Sequence, residues 1–135
     1  MNEPVTIDAS VFVSAFTPGE PFHEASKAFM KNVRASGTPI ISPALVLPEI
    51  AAAIARGQGK PQQGLAFSEE VANLPNLNFI SLDEGLARLA AQTASTHKLR
   101  GSDAVYAAVA LRFGTTLVTL DREQLERFDQ TVSPQ

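Results

Sequence analysis

The chain has 135 residues, a formal net charge of −3, 19% charged and 44% hydrophobic residues, and no cysteine. That length fits one domain with a single core, expected over residues 1–135, and the composition is that of an ordinary globule rather than a disordered chain. The charge excludes a global basic field for nucleic acid. The missing cysteines exclude disulfides and thiolate zinc sites and fit a reducing, cytoplasmic setting. Charged or polar residues interrupt every apolar run before the about 18–20 residues of a membrane span, so no membrane partner is expected.

In chain order, PVTID (Pro4 to Asp8) reads as a short buried strand ending on Asp8. ASVFVSAF (Ala9 to Phe16) has helical apolar spacing, and Thr17 to Pro21 is a turn. His23 to Ala35 alternates an apolar face with Lys27, Lys31 and Arg34, an amphipathic helix closed by Ser36-Gly37. Thr38 to Ser42 is a second strand. Ser42-Pro43 then reads as an N-cap with proline at the first helical position, and the helix runs to Arg56-Gly57. Pro48 conflicts with that start. Either it bends the helix near Ala44, or the helix starts later.

Gln58 to Gln63 is a polar loop, Leu65 to Leu74 a helix ended by Pro75, and Asn78 to Ser81 a weak third strand. Asp83 to His97 is a helix with acids in its first turn and His97-Lys98 near its end, as the macrodipole favours. A Gly-Ser pair opens a helix at Asp103 that is apolar nearly all round and stops at Gly114. A β-type run follows, Thr116 to Leu120, and then a short helix from Asp121 to Phe128. Thr131 to Pro134 is a brief edge strand or a loose tail. Alternating strands and helices predict an α/β fold, a parallel sheet with helices on both faces.

This layout sends Asp8, Asp103, Asp121 and, through the helix after the second strand, Glu49 to the C-terminal edge of the sheet, where such folds bind ligands. Clustered carboxylates without Cys or paired His favour Mg²⁺ or Mn²⁺ over Zn²⁺. At ~4 Å and an effective dielectric near 20, each like-charged pair repels by roughly 4 kcal/mol, so the cluster needs a cation or protons. Its natural chemistry is metal-assisted displacement at phosphorus. Each acid also has an ordinary reading. Asp8 and Asp121 can cap helices, Asp103 can complement a helix dipole, and Glu49 can be a surface helix residue. The coincidence of three Asp at element ends on one edge favours the site. His23 reads as surface and His97 as a helix C-terminal partner. Tyr106 reads as core, with its hydroxyl satisfied at an edge.

The segments TIDASVFVSAF, SPALVLPEIAAAI, LRGSDAVYAAVALRFG and TLVTLDREQLERF resemble, in order and spacing, the four acidic motifs of the PIN domain. The resemblance covers nearly the whole chain and is similar above all to VapC-type toxins of bacterial toxin–antitoxin pairs. It implies a three-layer α/β/α sandwich and a Mg²⁺- or Mn²⁺-dependent endoribonuclease acting on RNA. It also implies a homodimer and a cognate antitoxin partner. Carried across, Asp8, Glu49, Asp103 and Asp121 would hold the metal, with Ser10 and Thr119 supporting them from behind. Pro48 is the departure from the pattern, because it could reaim Glu49. Candidate RNA contacts are Arg100 beside the acidic edge, first among them, then Lys98, Arg112 and Arg122, and further off Lys27, Lys31, Arg34, Arg56 and Lys60. Two other classes compete with this reading. One is a PIN-like module that binds RNA or protein without cleaving. The other is a phosphoryl-receiving domain, which wants paired acids near the first strand and a lysine where Asp121 stands.

Overall fold

The computed structural model describes residues 3–134; residues 1, 2 and 135 of the expected domain lie outside it. Five strands form one parallel sheet: β1 (Val5–Ile7), β2 (Ile40–Pro43), β3 (Leu77–Ile80), β4 (Thr116–Val118) and β5 (Thr131–Val132). Their spatial order is β3-β2-β1-β4-β5. The chain steps from β1 to β2 to β3 on one side, then returns to add β4 and β5 on the other. The winding therefore reverses between β1 and β4, which is the switch point where doubly wound sheets leave a crevice.

Helices flank the sheet to give the three-layer α/β/α sandwich expected from the alternation. The helices are α1 (Ala9–Phe16), α2 (His23–Ser36), α3 (Val46–Gly57), α4 (Pro61–Ala72), α5 (Glu84–His97), α6 (Gly101–Phe113) and α7 (Arg122–Arg127). α1 packs on α2 and α3, and α3 on α4, while α5 packs on α6, which also covers β1, β2 and β4. α6 is buried without a break from Asp103 to Ala110, because it lies between the sheet and α5. Its alanines let the backbones approach closely. Gly114, at φ 65°, closes the helix in the left-handed conformation that favours glycine.

The strands are short, three or four residues in β1 to β4 and two in β5. β1 pairs along its whole length with β4, Val5↔Thr116 to Ile7↔Val118. Against β2 it pairs at Val5↔Ile40 alone. Beyond that point the Ser42 hydroxyl takes over the ladder. It accepts from the Ile7 N–H at 3.0 Å and donates to the Ile7 carbonyl at 3.1 Å.

That contact corrects the expected cap. Ser42 is a fully buried strand residue, Pro43 ends β2, and α3 starts at Val46 with Leu45 in the capping position. Of the two readings of Pro48, the later start is the right one. Pro48 is the third residue of α3, where its missing N–H has no intrahelical partner to lose. α4, by contrast, begins earlier than expected, at Pro61, so the polar loop shrinks to residues 58–60. Thr131–Val132 is an edge strand, parallel to β4. No described helix is long and apolar enough to cross a membrane.

Candidate functional site

The C-terminal edge of the sheet carries an open cavity of about 460 Å³ whose lining includes Asp8, Ser10, Glu49, Asp103 and Asp121. A larger one, about 660 Å³, lies between α2 and α4 under Met30 and Phe67, and Glu70 is its sole carboxylate. The smaller cavity is the candidate site, since it holds the chemistry.

Asp8 follows β1 and stands in the capping position of α1, but its side chain makes no capping hydrogen bond. Its carboxylate Oδ2 instead accepts from Ser10 Oγ at 2.9 Å and Thr119 Oγ1 at 2.7 Å. Both hydroxyls also tie down the end of β4: Ser10 accepts from the Leu120 N–H and Thr119 from the Asp121 N–H. Burial pushes the Asp8 carboxyl from 3.8 up to about 6; the two hydroxyls oppose the rise, and the charges of Glu49 and Asp103 add to it.

Glu49 sits in the first turn of α3, aimed at the cavity by the same helix start that accommodates Pro48. Tyr106 Oη donates to Glu49 Oε1 at 2.5 Å. Burial raises the Glu49 carboxyl, the charge of Asp103 raises it further, and donation from Tyr106 and Ser102 offsets part of the rise. Tyr106 is fully buried. Burial and the charges of Asp8 and Glu49 hold its phenol pKa far above the ordinary value, so it stays a proton donor at any ordinary pH.

Asp103 is the third residue of α6, two positions deeper than a helix opening at Asp103 implies, since the helix starts at Gly101. Asp121 caps α7, its Oδ1 accepting from the Gln124 N–H. Its capping reading is therefore correct, and it lines the cavity as well. Asp103 Oδ2 accepts from Arg100 Nε at 3.0 Å, and Asp121 Oδ2 from Arg100 Nη2 at 2.6 Å. The guanidinium is thus a cation held between two carboxylates, and they raise its pKa through hydrogen bonding and charge. It remains 65% exposed.

The structure thus brings all four acids to one cavity, with Ser10 and Thr119 behind Asp8 and Arg100 across Asp103 and Asp121. As they stand, no three Asp, Glu or His side chains among the described residues close on one point for a metal ion. Their chemistry still fits a hard divalent cation: oxygen donors only, a buried carboxylate short of positive charge, and two Oδ2 atoms already turned to one guanidinium.

Two residues at this edge were not assigned from sequence. One is Gln124, fully buried on α7, whose amide donates to Asp103 Oδ1 at 2.9 Å. The other is the Tyr106 hydroxyl as the donor to Glu49. Tyr106 follows Asp103 by three positions, one helical turn, which is a legible spacing; nothing in the sequence flags Gln124. The histidines lie elsewhere. His23 is buried rather than on the surface, its Nδ1 hydrogen-bonded to the Ser14 carbonyl at 2.8 Å. His97 Nδ1 meets the Arg127 carbonyl at 3.0 Å, and its ring stands edge-on to Phe128.

A parallel sheet wound in two directions, with four carboxylates lining the cavity at its switch point, defines an α/β protein with an acidic edge. Residues 5–130 match the family model of the PIN domain, and the chain belongs to that family. Its fold is similar to Mycobacterium tuberculosis VapC20, described as a sarcin–ricin loop cleaving toxin, at TM-score 0.75 and 18% identity over 96% of this chain and 99% of that one. FitAcB from Neisseria gonorrhoeae is similar at TM-score 0.72 and 22% identity, covering 96% and 97% of the two chains. A toxin–antitoxin complex from Klebsiella pneumoniae is similar at TM-score 0.70 and 17% identity, covering 97% and 98%. No curated protein matches the chain by sequence.

Proposed function

We propose that this protein is a metal-dependent endoribonuclease and the toxin of a toxin–antitoxin pair. The observation that carries the reading is the meeting of Asp8, Glu49, Asp103 and Asp121 in one cavity at the β1/β4 switch point. These four carboxylates would hold Mg²⁺ or Mn²⁺. A bound divalent cation supplies Lewis acidity and an activated water for attack on a phosphodiester. The chain's own residues prepare the place. Ser10 and Thr119 fix Asp8, Tyr106 fixes Glu49, and Arg100 neutralises Asp103 and Asp121. Arg100, with its exposed guanidinium beside Asp103 and Asp121, is the residue nearest at hand for a phosphate. The solved toxins and toxin–antitoxin complexes with this fold support a cognate antitoxin as partner, and a homodimer and a cytoplasmic location belong to the same reading.

The test is cleavage of total cellular RNA with Mg²⁺, with Mn²⁺ and with a chelator, comparing wild type with Asp103→Asn. Cleavage that requires the metal and is lost in the folded variant is expected. Cleavage that survives both the chelator and Asp103→Asn refutes the reading. Metal-linked stabilisation without cleavage would make the chain a binding module.

A further inference from the structure

Gln124 holds two of the acids at once. Its side-chain amide donates to Asp103 Oδ1 at 2.9 Å, and its peptide N–H donates to Asp121 Oδ1 at 2.9 Å. The remaining oxygen of each acid, Oδ2, meets the guanidinium of Arg100, at 3.0 Å from Asp103 and 2.6 Å from Asp121. Both carboxylates are therefore divided in the same way. One oxygen is tied inward to α7, and the other is turned out towards a shared positive charge.

Packing does not account for a glutamine here. Gln124 is fully buried, and its Oε1 has no hydrogen-bond donor among the described residues. An apolar side chain of similar volume would avoid that desolvation. What such a side chain could not supply is the donor on Asp103 Oδ1. Without it, the Asp103 carboxylate is held only through Oδ2 by the exposed Arg100, and its inner oxygen loses a charge-assisted hydrogen bond in a buried setting.

We propose that Gln124 is a positioning residue for the cation site: its amide fixes the Asp103 carboxylate so that Oδ2 of Asp103 and Oδ2 of Asp121 face one cation. The inference rests on reading the acidic cavity as a divalent-cation site. Hydrogen bonds made to a metal ligand from behind set its orientation, and losing one typically weakens metal binding about 10–100-fold.

The experiment is calorimetric titration of Mn²⁺ into wild type and Gln124→Met, with circular dichroism to confirm folding and a thermal midpoint for each metal-free protein. Gln124→Leu is carried in parallel in case the methionine variant fails to fold. The expected result is a Kd for Mn²⁺ raised about 10-fold or more in the folded variant. A purely structural glutamine would lower the thermal midpoint and leave the Kd unchanged, and that result overturns the proposal. Failure of wild type to bind Mn²⁺ overturns the reading of the site itself, so the two failures are distinguishable.

Discussion

Replacing Asp8 by asparagine should stabilise the metal-free protein at neutral pH. Asp8 lies under the surface beside Glu49 and Asp103, and burial first, then those charges, lift its carboxyl from 3.8 to about 6. The folded protein therefore binds this proton more tightly than the unfolded chain. Between pH 4 and 6 the native state carries more of the proton, so stability falls as pH rises through that window and the loss is complete above it. The rise in pKa corresponds to about 3 kcal/mol. Asparagine keeps an oxygen to accept from Ser10 and Thr119 but carries no charge, so it escapes this loss. For a chain of this length, with an unfolding entropy of about 0.3 kcal/mol per degree, the variant should melt about 10 °C higher at pH 7. The advantage should fade as the pH approaches 4. Differential scanning calorimetry of both proteins from pH 4 to 8, in chelator, reads it directly. Adding Mn²⁺ should raise the wild-type midpoint and narrow the gap. A variant that melts at or below the wild type at pH 7 and above would refute the reasoning, since ionised Asp8 would then cost the fold nothing.

Arg100→Gln removes the guanidinium that bridges Asp103 and Asp121. Mn²⁺ should bind this variant more tightly than wild type by calorimetric titration, because the cation no longer competes with an internal positive charge. Equal affinity would show that Arg100 leaves the acids before the metal arrives. Far from the site, Gly64→Ala would place a Cβ 2.8 Å from the Ala51 carbonyl oxygen where α4 crosses α3. Urea denaturation should show a loss of about 1–3 kcal/mol, and an unchanged midpoint would mean that the two helices part without cost.

Much of the fold was legible because its signals are local. Short β-type runs such as VTI and TLV lead to the capping positions of Asp8 and Asp121, and Gly37 and Gly114 close helices by conformations they adopt at little cost. Asp8 and Asp121 stood out because each directly precedes a helix and follows a strand. Other features rest on contacts between distant residues. Ser42-Pro43 has the local signature of a cap, but the Ser42 hydroxyl bonds to β1, 35 positions away, and α3 starts at Val46. Tyr106 reaches Glu49 across 57 positions, and Thr119 reaches Asp8 across 111.

The sequence by itself determined the alternation of strands and helices, and with it a parallel sheet whose strand-end acids share one edge. Only the tertiary structure decided how those acids are held: which oxygen of each is tied inward, which faces Arg100, and that Gln124 joins Asp103 to Asp121. The reason is physical. Periodicity and capping depend on neighbours along the chain. A carboxylate's orientation depends on donors that reach it after the sheet has ordered its strands, and no local pattern records where those donors come from.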